Sequence, residues 1–360
     1  MTRAFPAAGA TRWRMPAEWT PHAGCWMGWP CPSAIPDAVE RDAVLTAFAA
    51  IAYAIAAYEP LHVVAASEYM QDARAALPAS ATLHALPLDD LWLRDTGPTF
   101  LVDGHGGSLA LSWNFNNWGE KPMSCSGADR PLAHRLAVEA GVAVRHAPIV
   151  AEGGSLHVDG DGTLLVTETS ILNENRNPGL THQEAEAVFR HWLGVEKVVW
   201  LPGSWIDTIT DGHIDGIACF VKPGVLLASG ETDDGSAIGR EAAKEARENL
   251  RALQLARDAR GRGFEIATLN GPEMLPGDAA ENDDFSAEYV NFYMANGGIV
   301  MPAFGDAKAD AAARETISRA FPDRTVTQIR IDAIARRGGG IHCCTQQQPV
   351  VCGEAVHADD

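Results

Sequence analysis

Short apolar runs recur along the whole chain, and stretches of helical length separate them. The runs are Leu61–Ala66, Ser108–Trp113, Thr163–Thr167, Lys197–Leu201, Ile217–Val221, Val225–Ser229, Gly298–Met301 and Thr325–Ile331. Each is rich in Val, Ile or Leu and is bounded by Gly, Pro or Asp, which predicts strands. Helices are predicted over Asp37–Tyr58, Thr181–Leu193, Ser236–Arg257 and Asp306–Ala320. Thr181 with Glu184 three residues on has the spacing of a capping box. Lys222-Pro223-Gly224 separates two of the runs, and Asp159-Gly160-Asp161-Gly162 separates His157-Val158 from Thr163, so both read as hairpins. Strand pairs alternating with helices imply a mixed α/β architecture, repeated in pattern rather than in letters. No linker or break in composition divides the 360 residues, so a single domain over 1–360 is expected, with residues 1–12 a loosely ordered extension.

Charge narrows the function. The formal net charge is −19, which argues against nucleic acid and against an anionic membrane surface. It suits a cationic small substrate drawn in by a negative field, and it suits solubility alone equally well. The most apolar run, Val44–Tyr58, has 15 residues, short of the roughly 20 that a spanning helix needs. Met1–Pro16 lacks the apolar centre of a signal peptide, so a cytoplasmic location is expected. The seven cysteines contain no CxxC pair, which indicates neither a disulfide framework nor a zinc ribbon.

Four separated segments carry groups able to do chemistry. Gly338-Gly339-Gly340-Ile341-His342-Cys343 sets a cysteine after a glycine-rich turn. Cys343 reads either as a nucleophile or as a buried structural thiol, and Cys344 beside it suits the second role. His213 and Asp215 fall two apart, so an extended backbone would point both to one side. They could ligate a metal, bond each other, or act on a substrate; no HExxH or second His pair supports a metal. Asp95, in Trp92-Leu93-Arg94-Asp95-Thr96-Gly97-Pro98, is good turn chemistry, yet Trp92 nearby offers a flat wall, and a wall with a carboxylate holds a planar cation. Glu152, before Gly153-Gly154, reads as a loop acid when taken alone. Together, several carboxylates, a histidine and a cysteine suit a guanidinium, whose N–H forks match carboxylates bidentately.

At this point the chain resembles the agmatine deiminases of the guanidine-modifying (pentein) superfamily, which also contains arginine and peptidyl-arginine deiminases. The resemblance rests on Arg14-Met15-Pro16-Ala17-Glu18-Trp19, Trp26–Pro30, Trp92–Phe100, Asn114–Gly119, Glu152–Ser155, Asn173–Pro178, Gly212–Asp215, Tyr289–Tyr293 and Gly338–Pro349. It implies a five-bladed α/β propeller with pseudo-fivefold ββαβ repeats. It also implies agmatine hydrolysis, in polyamine (putrescine) biosynthesis or in the breakdown of arginine-derived amines, through an S-amidino-cysteine, without cofactor or metal. By motif, Cys343 stands at the nucleophile and His213 at the general acid/base. Asp95 and Asp215 stand at the two gripping carboxylates, Glu152 at the acid that orients His213, and Trp92 at a pocket wall. Peptidyl-arginine or free-arginine deimination by the same groups is the alternative, and an inactive guanidinium-binding protein the remote one. A homo-oligomer, with a dimer the commonest form, is the expected assembly. Three positions depart from the family pattern: Cys344, for an aliphatic residue, offers a second thiol or an oxidation partner, while Ile209 for an acid before the histidine and Glu120 for a second glycine after Gly119 bear on substrate identity more than on reaction type.

Overall fold

In the computed structural model, which describes residues 13–121, 127–231, 237–273 and 284–351, the strands form five separate small sheets. The N-terminal extension, residues 1–12, lies outside the described residues. Strand β1 (His22–Gly28) leads through the helix Ala38–Ala56 to β2 (Leu61–Ala65), parallel to it. A second crossover, through the helix Met70–Ala76, adds β3 (Thr82–Ala85).

One connection then repeats four times: an antiparallel hairpin, a helix, and a third strand parallel to the second. Strands β4 (Thr99–Val102) and β5 (Ser108–Ser112) pass through the helix Leu132–Glu139 to β6 (Ala143–His146). Strands β7 (His157–Val158) and β8 (Thr163–Thr167) pass through His182–Leu193 to β9 (Lys197–Leu201). Strands β10 (Ala218–Lys222) and β11 (Val225–Ser229) pass through Ala237–Leu255 to β12 (Glu265–Leu269). Strands β13 (Tyr293–Ala295) and β14 (Gly298–Ala303) pass through Ala307–Ala320 to β15 (Thr325–Arg330). The last strand, β16 (Thr345–Pro349), lies antiparallel to β1, so the two ends of the described chain build the remaining sheet together. The order there is β16-β1-β2-β3, the same hairpin-like pair and helical crossover assembled from opposite termini.

Local chemistry explains these elements. Both sequence-predicted hairpins form, as β7–β8 and β10–β11. The predicted capping box is present: the Thr181 hydroxyl accepts from the Glu184 N–H, while the Glu184 carboxylate accepts from the Thr181 N–H at 2.9 Å. Asp37 and Asp306 cap two of the other crossover helices by accepting first-turn N–H groups, each cap worth about 1 kcal/mol. Helix Ala38–Ala56 buries Val44, Phe48, Ile51 and Ile55, spaced for one face, against β2 and the neighbouring elements. No helix among the described residues is long and apolar enough to cross a membrane.

Burial falls across each sheet. The first strands β4, β7 and β13 are buried throughout, and β10 and β16 nearly so, whereas the third strands β6, β12 and β15 are largely open to solvent. The first strands therefore face the interior of the molecule. The turn entering each one is where a side chain from every unit can meet the others.

Candidate active site

Each unit delivers its contribution from the few residues before its first strand. Asp95 precedes β4, Glu152 precedes β7, His213 and Asp215 precede β10, Asn291 precedes β13, and Cys343 precedes β16. All are buried. Asp95 sits on a single helical turn, Leu93–Thr96. Glu152 leads into a 3-10 turn, Gly153–Ser155. The His213–Asp215 segment is not extended: residues Ile214–Gly216 form a 3-10 turn. The histidine precedes that turn with β-like backbone and the aspartate lies within it, so their meeting depends on the turn and not on strand alternation.

These groups converge on one small space, which Gly154 keeps open. A Cβ on Gly154 would stand 2.6 Å from His213 Nδ1, 2.9 Å from Asp95 Oδ1 and 3.0 Å from Asp215 Oδ2. Any side chain there would fill the gap between the three charged groups. Cys343 Sγ lies 3.5 Å from Asp215 Oδ2 and accepts from Asn291 Nδ2 at 3.2 Å. Nδ1 of His213 is buried without a hydrogen-bond partner and faces Asp95 Oδ1 at 3.7 Å, while Nε2 meets Glu152 Oε2 at 3.2 Å.

Behind Glu152 stands Arg176, which sequence reasoning did not assign. Its Nε donates to both Glu152 oxygens at 2.9 and 3.0 Å, and its Nη1 and Nη2 engage Asp211 and the Thr210 carbonyl. Behind Asp215 stands His342, also unassigned. Its Nδ1 meets Asp215 Oδ2 at 2.8 Å and its Nε2 meets Glu18 Oε1 at 2.8 Å. Arg94, next in sequence to Asp95, points away from the space, toward Glu18 at 3.5 Å. Asn291 is the third omission; its amide also holds the N–H of His342 at 3.0 Å. His342 is next to the candidate cysteine, and Asn291, Glu18 and Arg176 lie in motifs that carried the resemblance. The recurrence of site residues just before each first strand was the signal that singles out Asn291.

An aromatic residue that sequence reasoning did not assign, Trp118, reaches the site. Trp118 Nε1 donates to Asp95 Oδ2 at 2.9 Å, and the Gly154 N–H donates to the other oxygen at 3.0 Å. The Trp92 carbonyl accepts from the Asp95 N–H at 3.1 Å, and the Trp92 ring packs against Gly339, where an added Cβ would come within 2.5 Å. It supports the glycine-rich turn that carries Cys343. Trp118 reaches Asp95 from an unusual backbone: Asn117, Trp118, Gly119 and Glu120 all have positive φ. Left-handed residues other than glycine cost about 1–2 kcal/mol each, so this turn is held by its surroundings. The Asn116 carboxamide accepts from Gly119 and donates to the Asn175 carbonyl, and Lys121 pairs with Asp211 at 2.9 Å.

Burial disfavours every charge here, and the neighbours decide which charges persist. Burial alone would depress His213, but Asp95, Glu152 and Asp215 raise it to about 9, so it is an imidazolium at neutral pH. Burial opposes ionisation of Glu152 and Asp215, yet Arg176 with His213, and His342 with His213, hold their carboxyls below the usual range. Asp95 is raised by burial, with Asp215 and Glu152 adding to it. The Cys343 thiol is pushed well up by burial, Asp215 and Asp95, so these surroundings by themselves favour a thiol over a thiolate. An arriving cation would reverse that balance.

A buried cysteine set among carboxylates and an imidazolium, on a mixed α/β frame of five like sheets, defines a class of protein shaped around a small cation. The chain belongs to the Porphyromonas-type peptidyl-arginine deiminase family, whose model matches residues 14–349. It is 40% identical over 357 residues to an agmatine deiminase of Stutzerimonas stutzeri, covering 93% of this chain and 95% of the relative. It superposes on the agmatine deiminase of Enterococcus faecalis with a TM-score of 0.84 at 31% identity, covering 97% and 100% of the two chains. A DDAH from Pseudomonas aeruginosa, 15% identical with a TM-score of 0.50 over 91% and 99% of the chains, shares the fold.

Proposed function

We propose that this protein is an agmatine deiminase, hydrolysing agmatine to N-carbamoylputrescine and ammonia. The observation that carries the reading is the convergence of Cys343, His213, Asp95 and Asp215 on the space beside Gly154. Two carboxylates facing a gap beside a thiol suit a planar cation whose central carbon is to be attacked. The names of the relatives support agmatine as that cation.

The guanidinium binds between Asp95 and Asp215. Its charge lowers the Cys343 pKa, and the thiol proton passes to solvent. The Sγ lone pair attacks the guanidinium carbon, and the Asn291 amide that donates to Sγ steadies the developing thiolate. His213, as imidazolium, gives its proton to the departing nitrogen, and ammonia leaves. An S-amidino-cysteine remains. Neutral His213 then takes a proton from water, whose oxygen attacks the same carbon. Collapse forms the C=O bond and breaks the C–S bond; the adduct's hydroxyl proton goes to the departing Cys343 sulfur, restoring the thiol, His213 keeps the proton taken from water, and the ureido product leaves. Glu152 orients His213 and stabilises its charged form, held in turn by Arg176. Every step uses side chains of this chain.

The wider reading includes a five-bladed α/β propeller, supported by five sheets of one connectivity with buried first strands. It also includes a cytoplasmic homodimer serving putrescine and hence polyamine biosynthesis. The deciding assay incubates the purified protein with agmatine, free arginine and a peptide with internal arginine, and measures ammonia and ureido product. Ammonia from agmatine is expected. Ammonia from the peptide or arginine alone would keep the cysteine chemistry and replace the substrate.

A further inference from the structure

Agmatine carries a second cation, an ammonium four methylenes from the guanidinium, and the chemistry at Cys343 leaves it unaccounted for. A binding group for that ammonium presupposes agmatine as the substrate. Acidic side chains on the segments bordering the site outside the guanidinium grip include Asp207, Asp211, Asp284 and Glu288. Three are engaged. Asp211 pairs with Lys121 and Arg176. Asp207 accepts from the N–H groups of Ile209, Thr210 and Gly212 and from the Thr210 hydroxyl. Exposed Asp284 accepts from the Thr208 hydroxyl at 3.1 Å.

Glu288 differs. The Ser286 hydroxyl donates to one of its oxygens, and no Lys, Arg or His among the described residues forms an ion pair with it. It is half-buried, three residues before Asn291, whose amide touches Cys343. Its Cγ stands 4.0 Å from where a Cβ on Gly216 would be, and Gly216 follows Asp215. Glu288 is thus flanked by the gripping carboxylate on one side and the cysteine's amide partner on the other. Burial pushes its carboxyl up to about 7, with Asp207 and Asp215 adding to the shift. A carboxylate in that setting lacks a counter-charge, and an incoming ammonium supplies one. Nearby, Ile209 lays its side chain against the Gly338 turn, where an added Cβ would come within 2.0 Å of Cδ1, so an apolar surface lies next to the turn that leads to the cysteine.

We propose that Glu288 binds the distal ammonium of the substrate and determines specificity for guanidines that end in an amine.

The test compares agmatine with n-butylguanidine, the same chain without the amine, on the full-length enzyme and on Glu288→Gln. The ratio of kcat/KM for agmatine to that for butylguanidine should fall by about 10- to 100-fold in the variant, carried mainly by the KM for agmatine. Glu288→Asp, which keeps the charge one methylene shorter, should fall between the two and serves as the second variant if the amide folds poorly. A ratio that survives both substitutions overturns the assignment, as does an equal loss on both substrates. A wild-type protein that releases no ammonia from agmatine sinks the functional reading itself, whereas an active wild type with an unchanged ratio in the variants sinks the role of Glu288 alone.

Discussion

The two flanks of the site use the same residue types in opposite order. On one flank a histidine, His213, faces the central space, and a carboxylate, Glu152, stands behind it with Arg176 as its counter-ion. On the other a carboxylate, Asp215, faces the space, and a histidine, His342, stands behind it with Glu18 beyond. The rear residue fixes what the front one is. Glu152 helps keep His213 positive, a proton source; His342 helps keep Asp215 negative, a cation grip. A lone His–carboxylate pair does not specify its chemistry; the third residue in line does.

Removing the atom between the flanks gives the largest effect. Cys343→Ala should fold normally and lose turnover by at least about 10⁴-fold; an alanine enzyme with substantial ammonia release would end the covalent mechanism. Next come the facing residues, whose losses should differ in kind. His213→Gln and Asp215→Asn should each cost on the order of 10³-fold in kcat/KM. The His213 loss should lie in kcat with agmatine still bound, whereas the Asp215 loss should also weaken binding, which calorimetry would separate. Equal binding defects would erase the distinction between the flanks.

The rear residues should matter less. Glu18→Gln leaves His342 without its second carboxylate and lets Asp215 shift, at a cost of about 10- to 100-fold in kcat/KM. An unchanged value would show that the Asp215 flank needs no second support. The smallest effect is on stability with pH. The His213 pKa rises on folding from an ordinary 6.5 to about 9, so its contribution is complete below about pH 6.5 and is lost as the pH climbs through 9. The full difference is on the order of 3 kcal/mol. Thermal melts of wild type and His213→Gln between pH 6 and 10 should therefore converge as the pH rises; parallel curves would mean that His213 is not an imidazolium in the folded protein.

Legibility from sequence followed the physics of each element. The four predicted crossover helices form within a few residues of the expected limits, because capping residues and apolar spacing are local signals. Strands such as β8, β9 and β11 were legible for the same reason, being continuous apolar runs. Strand β16, Thr345-Gln346-Gln347-Gln348-Pro349, was not. Gln346 and Gln347 are buried because β1 pairs with the strand from the other end of the chain, and no local pattern announces that. Strands β3, β6 and β12 lie at solvent-facing edges and lack a clean apolar period.

The sequence by itself determined the repeated α/β pattern, the hairpins and caps, and which residues could do guanidine chemistry, since these depend on residue type and near neighbours. Only the tertiary structure decided that each unit offers its chemistry from the turn before its first strand, and that Gly154 holds the space among those turns. It also decided that the Trp118 indole reaches the Asp95 carboxylate, and that Arg176, His342, Glu18 and Asn291 stand behind the reacting groups. Those partnerships join residues as far apart as Glu18 and His342. Burial makes an unpaired charge costly wherever its partner lies in the chain, so the partner is chosen by packing and not by spacing.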